Sequence, residues 1–170
     1  MFDFLFTDRD SGIFRQVPLD VKGKLFTSPM PFGAYDRGNR LLKIYKRKNI
    51  DHVFMLVTKE ELKKKAKRNV KKSYVRNNMT YSQYAFKDFQ APSLPVLADL
   101  VAEARLRLQN QNVVVHCHAG VGRTGVAVCC IVSALERVDA QRALDRVKQH
   151  VSINMTAEQK NLVAKFAVNA

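Results

Sequence analysis

One segment collects side chains that can do chemistry together: Val113-Val-Val-His-Cys-His-Ala-Gly-Val-Gly-Arg-Thr-Gly125. Its β-branched run predicts a buried strand, its glycines at 120 and 122 a loop, and the apolar run Arg123–Arg137 a buried helix. Such a junction points successive backbone N–H groups at one spot, where the helix dipole also favours negative charge. Glycine lets the backbone curl around an anion without a side chain in the way. Arg123 adds a planar fork that matches two phosphoryl oxygens. The cradle residues are therefore His118, Ala119, Gly120, Val121, Gly122 and Arg123. Cys117 lies at its base, where positive surroundings favour a thiolate nucleophile. Thr124 is placed to donate its hydroxyl to that sulfur. The ring of His116 is expected to hydrogen-bond the loop backbone and hold its shape, and His118 to face out of the loop, either tuning substrate choice or idle. A lone cysteine ending a strand is ordinarily a small buried hydrophobe. The combination with two glycines, Arg and Thr argues for the nucleophile instead.

Alternating elements must position this loop. Lys24–Pro31 reads as a strand running into a loop, Ala34–Asn49 as a helix, and His52–Val57 as a buried strand. Lys59–Arg76 reads as one helix, with Leu62, Ala66, Val70 and Tyr74 on an apolar stripe and nine basic residues in eighteen. Met79–Phe86 is a strand and Lys87–Ser93 a loop. Leu97, Leu100, Val101, Ala104 and Leu108 mark a helix capped by Ser93, with Pro95 in its first turn. Further helices start at the caps Asp139 and Thr156. The fold class is α/β, a central mixed sheet flanked by helices with a strand–loop–helix phosphate cradle. Residues 1–170 form a single domain, with 1–20 an N-terminal extension packed on the core.

Charge and cysteine usage narrow the setting. The 170 residues are 46% hydrophobic, enough for a core, and carry a formal net charge of +14. The surplus is lopsided: residues 1–90 hold 20 basic and 9 acidic groups, residues 91–170 hold 9 and 6. Such a field attracts phosphates, nucleic acid or an acidic membrane surface. Three cysteines do not make a disulfide framework, so a reducing, cytoplasmic location is expected, with the nucleus also open to it. Cys129 and Cys130 fall in the apolar helix as core, one of them pairing with Cys117 being the alternative. Met1–Phe6 is too short for a signal peptide. Gly125–Leu135 falls far short of the ~20 residues a membrane span needs, so no transmembrane segment is expected.

His116–Thr124 matches His-Cys-x5-Arg-Thr/Ser at every fixed position. The sequence thereby resembles the cysteine-dependent protein tyrosine phosphatase superfamily, and its small dual-specificity (atypical) branch in particular. The resemblance extends over about residues 21–168, with Gly23–Pro31, Lys87–Ser93 and Thr156–Phe166 in the places of the early Ser/Pro segment, the acid loop and the Gln-bearing helix. It implies hydrolysis of phosphate monoesters through a phosphocysteine intermediate, with no cofactor and no metal. It implies a general acid from the loop Phe86-Lys-Asp-Phe-Gln-Ala-Pro-Ser93. Asp88, 29 residues before Cys117, takes that part, although Lys87 stands where the family's Pro-Asp-x-x-x-Pro has its first proline. Asp99 is the rival, on a predicted helix. Gln159 is read two ways: as the residue that places the hydrolytic water, or as half of a Thr156-x-x-Gln159 capping box.

The resemblance makes a phosphorylated protein, on tyrosine or serine/threonine, the first substrate class. Members acting on phosphoinositides often carry Cys-Lys-x-Gly-Lys in the loop, where this chain has His118 and Val121. Members acting on RNA 5′ ends often read His-Cys-Thr-His-Gly-x-Asn-Arg-Thr, matched here only in part. Both remain alternatives beside a catalytically dead phosphate-binding module. Lys59–Arg76 is either a solvated basic face or a dock for anionic lipid or RNA.

Overall fold

The computed structural model describes residues 12–169, so the reading of Met1–Phe6 lies outside the described residues. Val113–His116 (β5) is buried at every position and sits at the centre of a five-stranded sheet. It runs parallel to Leu25–Ser28 (β2) on one side and to His52–Met55 (β3) on the other. Thr80–Gln83 (β4) lies parallel outside β3, and Arg15–Val17 (β1) antiparallel outside β2, which makes the sheet mixed. A parallel strand covered on both faces reads as a continuous β-branched run, which is why Val113-Val-Val was legible. Asn112 sets the register at the strand starts. Its Oδ1 accepts from Lys24 N, its Nδ2 donates to the carbonyls of Lys48 and Asn49, and its own amide donates to Asp51 Oδ2.

The strands end together, at Ser28, Met55 and His116, and the site forms beyond that edge. From there Arg123–Glu136 (the helix that follows β5) runs back with all residues from Arg123 to Ser133 buried. Before it in the chain come Leu41–Arg47 (α1), Lys59–Lys65 (α2), Val70–Arg76 (α3) and Leu94–Leu108 (α4), which makes Arg123–Glu136 α5. It packs against α4 and against Ala140–Lys148 (α6) and Ala157–Asn169 (α7). Among the described residues no helix is long and apolar enough to cross a membrane.

In the described part of the 1–20 segment, β1 pairs with β2, and the Phe14 ring stacks on Phe26 with centroids 4.9 Å apart. Several element expectations are corrected. The helix expected over Ala34–Asn49 is a 3-10 turn at Arg37–Asn39 followed by α1. Gly38 and Asn39 at φ 74° and 51° break it, and the buried Asp36 carboxylate accepts from the amides of Arg40 and Leu41. Lys59–Arg76 is two helices rather than one. Thr58 Oγ1 caps α2 through Glu61 N and Asn69 Oδ1 caps α3 through Lys72 N; between them the backbone extends and Lys67 N donates to Phe32 O at 3.0 Å. An asparagine that can cap competes with helix continuation, so one apolar stripe wraps onto two axes. Asp139 caps α6 as expected, accepting from Arg142 N, whereas Ser93 precedes α4 without a side-chain cap.

Candidate active site

The loop after β5 is held from outside by its carbonyls. Met30 N donates to His118 O and Asn154 N to Val121 O, each at 3.1 Å. In a trans peptide the N–H points opposite the C=O, so these anchors turn the amides of Ala119 and Gly122 away from the anchoring segments. Gly120 sits at φ +82°, and a Cβ there would lie 2.6 Å from Ser28 O, so only glycine fits. Its amide donates to Cys117 Sγ at 3.2 Å. Cys117, 3% exposed, stands at the base of a pocket of about 240 Å³ shared with Tyr35, Asp88, Phe89, Arg123 and Gln159.

Arg123 is 2% exposed and held on one side only. Nη1 donates to Glu61 Oε2 at 2.6 Å and to the carbonyls of Leu56 and Phe86, and Nη2 to Glu61 Oε1 at 2.9 Å. Asp88 Oδ1 lies 3.0 Å from Nη2. Nε, by contrast, is buried without a partner. Lys65 closes a ring of charges, 3.1 Å from Glu61 and 3.5 Å from Asp88. Burial works against the ionised Glu61, but hydrogen bonds and charge from Arg123, with Lys65 behind them, overcome it and hold the carboxyl at about 2.

Burial lowers the basicity of both histidines of the signature. His116 is enclosed between Tyr74 Oη at 2.9 Å from Nε2 and Cys117 O at 3.0 Å from Nδ1, and burial brings it down to about 4. Its bond to the backbone is the one the sequence suggested. His118 differs from expectation: its ring stands edge-on to Tyr35, centroids 5.2 Å apart, with Nδ1 buried and unpartnered. The Met30 anchor on its carbonyl fixes the loop so that the side chain folds onto the pocket wall. Burial and then the charge of Lys65 lower its basicity.

Thr124 also departs from expectation. Its Oγ1 is buried without a partner and makes no bond to Cys117, because the sulfur takes the Gly120 amide instead. Gln159 closes the reciprocal capping box: its Oε1 accepts from Thr156 N and its backbone amide donates to Thr156 Oγ1. Yet it is 2% exposed in the pocket wall, and Nε2 donates to Gln90 O, tying α7 to the loop of Asp88. In that loop Phe89 takes φ 60°, a conformation few non-glycine residues adopt. Cys129 and Cys130 are core: burial pushes the first up to about 12 and the second higher. None of the three cysteines is in a disulfide. Among the described residues no three of His, Cys, Asp or Glu converge to hold a metal ion.

Sequence reasoning missed Glu61, Tyr74, Tyr35 and Phe89. The signal for the first is an acidic pair, Glu60 and Glu61, inside a run of cations.

A thiol on a strand–loop–helix anion cradle, with a buried guanidinium clamped beside it, defines a cysteine-based phosphatase of the protein tyrosine phosphatase superfamily, dual-specificity type. Residues 33–135 match the family model described as Tc-R-P, polymorphic toxin system, DSP-PTPase phosphatase, and the chain belongs to that family. It is 35% identical over 89 residues to protein tyrosine phosphatase domain-containing protein 1 of Danio rerio, covering 51% of this chain but only 12% of that protein. It is 24% identical over 100 residues to cyclin-dependent kinase inhibitor 3 of Mus musculus, 58% of this chain and 47% of the other. In structure it is similar to kinase associated phosphatase carrying a serine at the catalytic cysteine, with TM-score 0.81, 18% identity, and coverage of 92% and 94%. PTPMT1 in complex with PI(5)P gives 0.75, 15% identity, and coverage of 92% and 95%.

Proposed function

We propose that this chain hydrolyses phosphate monoesters on proteins, phosphotyrosine and phosphoserine/threonine, through a phosphocysteine intermediate. The observation that carries the reading is Arg123. Its Nη edge is held by Glu61 and Asp88 while its buried Nε has no partner among the described residues, the arrangement of a guanidinium kept ready for an oxyanion. The substrate phosphate takes the loop amides and Arg123, and competes with Asp88 for Nη2. The Cys117 thiolate attacks phosphorus in line, the P–O bond breaks, and protonated Asp88 delivers its proton to the leaving oxygen. Asp88, now a carboxylate, takes a proton from water as that water attacks phosphorus. The P–S bond breaks, and inorganic phosphate leaves with the thiolate restored. Thr124 Oγ1, otherwise unpartnered, is available to donate to departing sulfur. Gln159, which holds the acid loop through its bond to Gln90 O, is assigned to orient the water. His116 keeps the loop's shape from below. Charge redistribution on the equatorial oxygens is met by fixed N–H groups, the main electrostatic contribution.

The exposed rings of Tyr35 and Phe89 at the pocket wall support an aryl phosphate as substrate. A phosphoinositide is the second reading, favoured by the bound ligand of the PTPMT1 neighbour. One experiment addresses both: turnover of an aryl phosphate, phosphopeptides, a phosphoinositide and 5′-triphosphate RNA by the wild type and by Cys117→Ser. Loss of turnover with retained vanadate binding in Cys117→Ser is the expected result. Retained turnover would defeat the mechanism, and a preference for the lipid or the RNA would move the substrate class.

A further inference from the structure

The break between α2 and α3 opens a cleft of about 460 Å³ whose rim carries five cations, Lys59, Lys63, Lys67, Arg68 and Lys71. Among the described residues no aspartate or glutamate lines it, and Leu62 and Val70 form part of its floor. Two of the cations are set in place by rings. The Arg68 guanidinium lies 5.4 Å from the Phe32 centroid, and Lys71 Nζ lies 5.6 Å from that of Tyr81 while donating to Gln83 Oε1. Lys63 and Lys67 are exposed and have no ion pair among the described residues. Helix α2 thus has two working faces. Glu61 and Lys65, four apart, face Arg123 and Asp88, while Lys59 and Lys63, four apart on another side, face the cleft.

We infer that this cleft binds a polyphosphorylated polyol headgroup, at a site separate from the catalytic pocket, with which it shares no lining residue. Five converging cations exceed what one phosphate needs, and the volume suits a small ligand. A single-stranded nucleic acid would want exposed rings for its bases. Here no aromatic residue among those described lines the cleft, and the two neighbouring rings are covered by Arg68 and Lys71.

The test is calorimetric titration of the full chain with inositol hexakisphosphate while orthovanadate saturates the catalytic cradle. One site is expected, and its affinity should fall by at least about thirtyfold in Lys63→Glu/Lys67→Glu, the worth of two surface lysines near anionic headgroups, with the two new carboxylates adding repulsion. The same charge change placed before β2, Lys22→Glu/Lys24→Glu, should leave it intact. Both variants should melt like the wild type and keep its aryl phosphate turnover. Flotation with phosphatidylcholine vesicles containing a bisphosphorylated phosphoinositide distinguishes a lipid source, which floats the chain, from a soluble one, which does not. No binding with vanadate present, equal losses in both double variants, or equally tight binding of an oligoribonucleotide lost through Lys63 and Lys67 would overturn the inference.

Discussion

Glu61 supplies the sharpest test of how the site is built. It holds Arg123 through two bonds of 2.6 and 2.9 Å, from a side chain only 12% exposed, against a guanidinium only 2% exposed. Removing one partner of such a pair costs about 3–5 kcal/mol when nothing replaces it. In Glu61→Gln, Arg123 keeps Asp88 on Nη2 and the carbonyls of Leu56 and Phe86 on Nη1, and the new amide oxygen still accepts one bond. The loss should then be nearer 2 kcal/mol, about 4–8 °C in melting temperature for a chain of this length. The kinetic signature is more specific. Without the Glu61 charge, Asp88 is the only carboxylate among the described residues left on Arg123, so the acid and the phosphate-binding fork hold each other. Misplaced catalytic groups lower kcat about tenfold to hundredfold, with KM for an aryl phosphate changing far less. Glu61→Asp, charged but one methylene short, should recover more of the stability than of kcat. A Glu61→Gln enzyme with wild-type melting temperature and kcat would refute the assignment of Glu61 as the residue that positions Arg123.

Gly120→Ala should melt lower by about 1–3 kcal/mol and lose aryl phosphate turnover, because its Cβ would press on Ser28 O from a left-handed backbone; a variant indistinguishable from wild type in both assays would refute the packing argument. Stability should fall as pH drops from about 6.5 towards 4, since burial holds both His116 and His52 at about 4 while the unfolded chain protonates its histidines near 6.5. The unfolded state then binds the extra protons, with a limiting slope of about 1.4 kcal/mol per pH unit for each ring. Urea midpoints at pH 7 and 4.5 measure it, and a flat profile would contradict the burial of both rings.

The nucleophile loop was legible because its chemistry is local. Cys117, Gly120, Gly122 and Arg123 lie within one strand–loop–helix junction, where residue type and backbone conformation are tied together. The helix over Lys59–Arg76 was misread because periodicity counts apolar spacing and takes no account of caps. Leu62, Ala66, Val70 and Tyr74 keep the spacing across a break made by Asn69, a residue that caps as readily as it continues. The partners of the loop were invisible for a different reason. Glu61 meets Arg123 across 62 residues, and Tyr74 meets His116 across 42, through the parallel packing of β3 and β5 rather than through any pattern in the chain. His118 was misplaced because nothing in the loop sequence tells that Met30 will hold its carbonyl.

The same break changes what the charge surplus means. As one continuous helix, Lys59–Arg76 could be only a basic rod lying on the surface. Divided in two, its first half turns Glu61 and Lys65 inward to hold Arg123 and Asp88, and its second half sends Tyr74 beneath His116. The acidic residue is what lets a strongly basic segment lie beside the cradle: Glu61 pairs directly with both Arg123 and Lys65, and Asp88 meets the same two cations, so the nearest cation of the run is neutralised where substrate arrives. Five of the eight cations left over gather on another side, around the cleft between α2 and α3. Charge that looked diffuse in the sequence is therefore sorted by the fold into a compensated set that shapes the catalytic pocket and an uncompensated set that faces solvent.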